Sequence, residues 1–185
     1  MRIIAGTHRG SRLKEPANVT RPTSDRVREA IFNVLRNVVP EAKVLDLFAG
    51  TGALGLEALS RGASSCLFVE NDSQALRCLR QNIALTKFAN TKVLESDALR
   101  LIENPRQTQL FDLIFADPPY FRNGASDLAG PLLIQPLPLA EGGILVLEVE
   151  SERPTPESLP HLQLLKRKDY GKTSILYLEK ADTEK

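Results

Sequence analysis

Short apolar runs and amphipathic stretches alternate along most of the chain, which is the pattern of β-α-β units around a parallel sheet. Five runs predict buried parallel strands at residues 43–48, 65–70, 92–95, 111–116 and 143–148. Two later runs, 162–167 and 174–178, flank a Tyr170-Gly171-Lys172 turn and predict an antiparallel hairpin. We therefore expect a three-layer α/β domain with a seven-stranded, mostly parallel sheet and a C-terminal antiparallel hairpin.

Helical periodicity fills the segments between these strands. Residues 53–61, which end at Gly62, predict one helix, and residues 73–86 predict another. The second helix shows an apolar face formed by Ala75, Leu76, Leu79 and Ile83. Both helices would pack on the sheet.

The N-terminal region predicts a small extension of a β-ribbon and a helix. Ser24 or Asp25 can cap the helix, in which the apolar positions are Val27, Ala30, Ile31, Val34 and Leu35. On its opposite, exposed side we expect Arg26, Arg28 and Arg36. Residues 2–13 alternate enough to predict the β-ribbon.

Charge divides the chain into two parts. Residues 1–40 carry eight Arg and Lys against three Asp and Glu, whereas residues 41–185 carry sixteen against twenty. A basic arm on a mildly acidic body indicates either a polyanionic partner at one edge or a solvated charged surface. We assign residues 1–20 to a basic β-ribbon arm and residues 21–182 to the main domain.

The remaining composition excludes several classes of protein. No apolar run is long enough to span a membrane, and the N-terminus has no signal-peptide core. Two cysteines and two histidines are too few and too widely spaced for a zinc site or a disulfide framework. We expect a cytoplasmic monomer that binds no metal.

A glycine-rich turn follows the first predicted strand, at Gly50-x-Gly52-x-x-Gly55. Its spacing fits the dinucleotide fingerprint, in which helix amides meet a pyrophosphate. Asp46 changes this interpretation, because a carboxylate at the strand end would repel a pyrophosphate. The ammonium and sulfonium of S-adenosylmethionine (SAM) suit that charge better, so we favour SAM over NAD, with Gly50 and Gly52 at its amino-acid end.

Two further acids end the next strands. Glu70 closes the second strand, where a carboxylate can accept hydrogen bonds from both ribose hydroxyls. Asp97 follows the third strand, beside Ala98, where it can accept from an adenine amino group. Three acids on successive strands of one sheet edge predict a nucleoside site.

The fourth predicted strand ends in Asp117-Pro118-Pro119-Tyr120. Two prolines remove two backbone donors and stiffen the turn. A planar amine needs acceptors around it, which Asp117 and the Pro118 carbonyl can supply, while Tyr120 can stack on the ring. We assign these four residues to the target amine.

With these motifs the sequence resembles the class I SAM-dependent methyltransferases that carry a (Asp/Asn)-Pro-Pro-(Tyr/Phe) loop. The segments 3–6, 9–13, 21–33 and 47–62 more specifically resemble the bacterial 16S rRNA guanine-N2 methyltransferase family. The resemblance implies a Rossmann-like fold, SAM bound by Asp46, Gly50, Gly52, Glu70 and Asp97, and a target base held by residues 117–120. It also places residues 21–25, including Thr23, over the cofactor beside the RNA entrance.

The predicted reaction is direct in-line methyl transfer to the exocyclic N2 of a guanine in 16S rRNA. The expected partner is ribosomal RNA in the small subunit or its assembly intermediate, with phosphate contacts from Arg9, Arg12, Arg21 and Arg28. Three alternatives stay open: an N6-adenine methyltransferase acting on DNA or RNA, a NAD-dependent oxidoreductase, and a non-catalytic RNA-binding module.

Overall fold

The computed structural model describes residues 1–16, 24–104, 109–119 and 127–181. Its helices are α1 (Asp25–Val34), α2 (Ala53–Ser60), α3 (Ser73–Thr86), α4 (Ala98–Ile102) and α5 (Ala129–Ile134). Its strands are β1 (Lys43–Leu47), β2 (Ser65–Glu70), β3 (Thr91–Glu95), β4 (Phe111–Ala116), β5 (Leu139–Glu150), β6 (Leu162–Tyr170) and β7 (Thr173–Lys180). In the described ranges, no helix is long and apolar enough to cross a membrane.

All seven named strands form one sheet in the order β3-β2-β1-β4-β5-β7-β6. Strands β1 to β5 pair in parallel, and β7 pairs antiparallel with both β5 and β6. The predicted Rossmann-like α/β fold with a C-terminal antiparallel hairpin is therefore confirmed. The strand order reverses between β1 and β4, which is where ligands bind in open α/β sheets.

The two faces of the sheet bury separate apolar clusters, because successive side chains of a strand point to opposite faces. One cluster joins the sheet to α1, α2 and α3 and includes Phe32, Leu56, Leu79 and Phe115. The other joins the sheet to α4 and α5 and includes Ala98, Leu132, Leu145 and Leu147. This makes three layers, with α1 to α3 on what we call the first face and α4 and α5 on the second.

The N-terminal hairpin, residues 1–13, forms a ribbon with a single β-bridge, between Arg2 and Arg12. Ile3 and Leu13 are buried in the cluster of the first face. From α2, the buried carboxylate of Glu57 accepts hydrogen bonds from the backbone N–H groups of Ile4 (2.7 Å) and Ala5 (3.0 Å). The hairpin is therefore packed onto the domain along its length.

Helix α1 buries a face that only partly matches the predicted one, since Ile31 and Leu35 are buried and Val27 packs against the core as predicted. Its buried residues are Arg28, Ile31 and Phe32. The guanidinium of Arg28 is 0% exposed and donates to the Arg2 carbonyl oxygen and to Asp25, both at 2.7 Å. Burial lowers the pKa of Arg28, while the Asp25 carboxylate raises it. The expected exposure of Arg28 was wrong, and Val34, expected in the apolar stripe, is instead 39% exposed.

Three other features differ from the predictions. Helices α4 and α5, of five and six residues, are too short to show an apolar period in the sequence. Strand β5 starts at Leu139 rather than at residue 143, with a register irregularity against β4 between Phe111 and Leu113. Gly142, with φ of 68°, lies inside this strand, and a glycine in a short apolar stretch is typical of a loop, so the first four residues of β5 were not predicted as strand.

Candidate active site

The carboxyl ends of β1, β2, β3 and β4 meet at one edge of the sheet. Leu47 at the end of β1 is level with Val69 and with Ala116, and Glu70 is level with Glu95. The predicted acids lie in or just after these positions. The structure therefore brings Asp46, Glu70, Asp97 and Asp117 to a common edge, as the sequence predicted.

The glycine-rich turn between β1 and α2 depends on glycine at three points. Gly50 and Gly52 have φ of 56° and 80°, in the left-handed region that favours glycine. A Cβ on Gly55 would lie 2.3 Å from Cε1 of Phe68. The first two glycines therefore shape the turn, and the third lets α2 pack closely on β2.

Asp46 lies in β1 beneath this turn, with a side chain only 2% exposed. Its Oδ2 accepts a hydrogen bond of 2.9 Å from the backbone N–H of Gly55. Burial raises the pKa of the Asp46 carboxyl well above its ordinary value, and the nearby charges of Asp117 and Glu70 raise it further, against the Gly55 hydrogen bond. The site thus concentrates negative charge that a cationic ligand would relieve.

Glu70 fastens the end of β2 to the glycine turn. Its Oε2 accepts from the N–H of Gly50 at 2.7 Å, and its Oε1 accepts from the N–H groups of Asn71 and Asp72, both at 2.8 Å. A carboxylate has about four acceptor positions. These three bonds leave room for about one ribose hydroxyl, rather than for both.

Asp97 follows β3 and acts as the N-cap of α4. Its Oδ1 accepts from the N–H of Arg100 at 3.0 Å, and Ala98 next to it is buried on the second face. A cap of this kind fixes the direction of the carboxylate at the sheet edge. The expected contact of Asp97 with an adenine amino group stays a prediction.

Asp117, Pro118 and Pro119 leave the end of β4 beside this acidic edge. Pro118 is buried and Pro119 is exposed. The ring of Phe115, two residues before Asp117, packs against Phe32 of α1 with the ring centroids 5.6 Å apart. The predicted Tyr120, Thr23 and Arg21 lie outside the described residues.

A cavity of about 360 Å³ opens beside the two prolines, between the ends of β4 and β5. Its lining includes Pro118, Pro119, Leu128, Glu148, Val149 and Glu150. Arg153 and Asp127 line it too, and they form a bidentate ion pair at 2.7 and 2.8 Å that lowers the pKa of Asp127. These residues could not be predicted from the sequence, because the alignment of β5 with β4 is needed to place Glu148.

Asn82 of α3 joins the glycine turn to the segment that follows the N-terminal hairpin. Its buried amide donates to the carbonyl oxygens of Thr51 (2.9 Å) and Lys14 (3.0 Å) and accepts from the N–H of Lys14 (2.7 Å). Thr51 stands between Gly50 and Gly52, so this side chain holds the centre of the turn. The sequence analysis missed Asn82, which looked like one more polar position of a helix.

Comparison with known proteins shows the family of the chain. A family model described as Conserved hypothetical protein 95 matches residues 1–179. The ribosomal RNA small subunit methyltransferase D of Escherichia coli is 37% identical over all of this chain and 92% of its own length. The chain belongs to this family of SAM-dependent rRNA methyltransferases.

Two more proteins are similar to this chain over nearly their full lengths. The Bacillus subtilis protein YlbH is 37% identical, over 97% of this chain and 99% of its own. The solved structure of yhhF from Escherichia coli is 34% identical and has a TM-score of 0.83, with 97% of each chain covered. The fold of nearly the whole chain is therefore shared with the yhhF structure.

The described residues fit the SAM that this methyltransferase family uses. The buried carboxylate of Asp46, which the charges of Glu70 and Asp117 disfavour, suits a ligand with an ammonium and a sulfonium. The positive φ angles of Gly50 and Gly52 bring backbone close to the ligand space without a side chain. In the part of the chain that the structure describes, no cluster of three metal-ligating side chains occurs.

The residues predicted to contact RNA are placed differently from one another. Arg9 and Arg12 are exposed on the N-terminal hairpin, where they can reach phosphates. A groove of about 650 Å³ beside the hairpin is lined by three arginines, Arg2, Arg9 and Arg61. Arg28 is buried beneath the hairpin, so the predicted contact of its guanidinium with an RNA phosphate does not fit this structure.

Proposed function

We propose that this protein transfers a methyl group from SAM to the exocyclic N2 amino group of a guanine in 16S rRNA. The observation that carries the proposal is the convergence of Asp46, Glu70 and Asp117 at one edge of the sheet, beside the Pro118-Pro119 turn. The Escherichia coli relative, named for methylation of small-subunit ribosomal RNA, supports the choice of substrate class.

SAM would bind across the carboxyl ends of β1, β2 and β3. Asp46 is proposed to face its amino-acid end under the Gly50 and Gly52 turn, and Glu70 to accept from the ribose. The adenine would lie by Asp97 and Ala98, and Thr23 is proposed to cover the ligand from the N-terminal side. When bound, SAM supplies an electrophilic methyl group and would leave as S-adenosylhomocysteine, and the proton lost by the methylated amine would pass to Asp117 or to water.

Asp117 and the turn after it are proposed to hold the target amine. The lone pair of a guanine amino group is delocalised into the ring, so the amine is a weak nucleophile. Hydrogen bonds that its N–H groups donate to the Asp117 carboxylate and to the Pro118 carbonyl oxygen would localise that lone pair on nitrogen. Pro118 and Pro119 have no N–H to compete, and Tyr120 is proposed to stack on the base. Orientation of two bound reactants can contribute about 7–11 kcal/mol to the lowering of the barrier.

RNA is proposed to dock on the N-terminal hairpin through Arg9 and Arg12, together with Arg21. Such contacts to phosphates offset the few kcal/mol needed to take a base out of its stack. The proposed substrate is ribosomal RNA in the small subunit or its assembly intermediate, and the proposed setting is a cytoplasmic monomer.

The test combines methyl-labelled SAM with unmodified 16S rRNA, and separately with unmodified small subunits, followed by mapping of the labelled nucleotide. Asp117→Ala should abolish transfer and leave SAM affinity within a few-fold. The matched control is Asp112→Ala on the same strand, where the carboxylate accepts a hydrogen bond from the backbone N–H of Lys43 at the far edge of the sheet. Label at an adenine N6 would replace guanine as the target, and binding of NAD but not of SAM would refute the proposal.

A further inference from the structure

Glu148 lies next to the proposed catalytic turn, on the neighbouring strand. Ala116 at the end of β4 is level with Leu147 of β5, so Asp117 follows Ala116 as Glu148 follows Leu147. Adjacent strands of a sheet are about 4.8 Å apart. The backbones that carry the Asp117 and Glu148 carboxylates are therefore neighbours at the sheet edge.

Glu148 also shares a face with the other acids. Leu147 belongs to the cluster of the second face, whereas Ile175, which is paired with Glu148 on β7, belongs to that of the first. Directly paired residues of a sheet point to the same face, so Glu148 points to the first face. By the same alternation Asp46 lies on the first face, two residues after Val44.

The cavity beside the two prolines offers space for a ligand next to Glu148. Pro118, Pro119 and Val149 line it with apolar surface, and Glu148 and Glu150 line it with carboxylates. Its volume of about 360 Å³ falls in the range of small-molecule sites, roughly 300–1,000 Å³. A lining that combines apolar side chains with the carboxylates of Glu148, Glu150 and Glu152 suits a planar base that presents hydrogen-bond donors.

We propose that Glu148 determines the choice of guanine by accepting a hydrogen bond from N1–H, next to the 2-amino group that Asp117 accepts. This inference rests on the proposed function. Guanine offers N1–H and the 2-amino group as adjacent donors, which match two adjacent carboxylates. Adenine has a lone pair at N1, which a carboxylate repels.

The test uses an RNA fragment that carries the mapped target nucleotide either as guanine or as 2-aminopurine. 2-Aminopurine keeps the 2-amino group but has a lone pair at N1. Affinity is measured by filter binding in the presence of S-adenosylhomocysteine, and kcat/KM is measured with SAM. Wild type should prefer guanine by roughly 10-fold or more in both, as one charge-assisted hydrogen bond allows.

Glu148→Gln should reduce that preference about 10-fold, because the glutamine amide can donate to the N1 lone pair of 2-aminopurine. Glu141→Gln, an exposed acid near the other end of β5, is the matched control and should keep the wild-type preference. Glu150→Gln, which alters the next acid of the cavity, should change it less than Glu148→Gln does.

Three results would overturn the inference: equal use of both bases by the wild type, an unchanged preference in Glu148→Gln, or a larger effect of Glu150→Gln. The comparison of guanine with 2-aminopurine is made first with the wild type, so the inference can be refuted even if a variant fails to fold. Absence of any methyl transfer by the wild type would instead refute the proposed function. Transfer to guanine without discrimination at N1 would refute only the role of Glu148.

Discussion

Replacement of Asn82 by alanine tests whether one buried amide holds the glycine turn in place. The change removes three hydrogen bonds, to Thr51 and Lys14, of 2.7–3.0 Å, from a side chain that is 0% exposed. Each such bond contributes about 0.5–1.5 kcal/mol net, so the variant should lose about 2–4 kcal/mol of unfolding free energy. For a protein of this size that loss corresponds to a decrease in Tm of about 5–15 °C.

The assay is urea denaturation of the ligand-free protein, with SAM affinity measured by calorimetry below the transition. Asn90→Ala is the matched control, because the exposed Asn90 amide donates one bond, of 2.9 Å, to the Ser64 carbonyl oxygen. The control should lose less than about 1 kcal/mol and keep its SAM affinity. Equal losses for the two variants, or unchanged SAM affinity in a folded Asn82→Ala protein, would refute the role given to Asn82.

Three further changes test other parts of the site. Gly55→Ala should cost about 1–3 kcal/mol in urea denaturation, because the new Cβ would lie 2.3 Å from Phe68 Cε1; unchanged stability would contradict the packing argument. Asp46→Asn should weaken SAM binding. Its Tm should also fall less than that of the wild type as pH rises above 3.8, because the raised pKa of Asp46 in the folded wild type means that ionisation of this carboxyl lowers the stability of the fold. Parallel pH profiles would argue against a buried charge. Combined Arg9→Ala and Arg12→Ala substitutions should weaken RNA binding and reduce its log–log salt slope by about 2 without a change in SAM affinity, and an unaltered slope would place the RNA elsewhere.

The strands could be predicted closely from the sequence, because buried parallel strands are continuous apolar runs with sharp ends. Residues 65–70 and 111–116 were predicted with the bounds that the structure has. Helix α3 was predicted to the residue as well, since its fourteen residues show a full amphipathic period. Short helices such as α5, which contains Gly130 and Pro131, offer too few turns for a period to emerge.

The site was predicted where it depended on the sequence next to a strand end, and missed where it depended on contacts between distant segments. Asp46, Glu70 and Asp117 each lie within one residue of the end of a strand, so their common edge could be inferred. Arg28 was misplaced because arginine is rarely buried without partners, and the Arg2 carbonyl oxygen reaches Arg28 only when the hairpin packs on α1. Glu148 became interpretable only once the register of β4 and β5 was known.

The N-terminal segment is anchored by side chains that bond its peptide groups, among them Arg28, Glu57, Ser60 and Asn82. Such anchors are indifferent to which amino acids the segment carries, provided that its backbone keeps its path. Arg9, Arg12 and Lys14 can therefore be exchanged for other residues at little cost to folding or to the turn beneath. The charge of this surface could therefore be redesigned on an unchanged catalytic domain, which would vary the proposed RNA contacts alone.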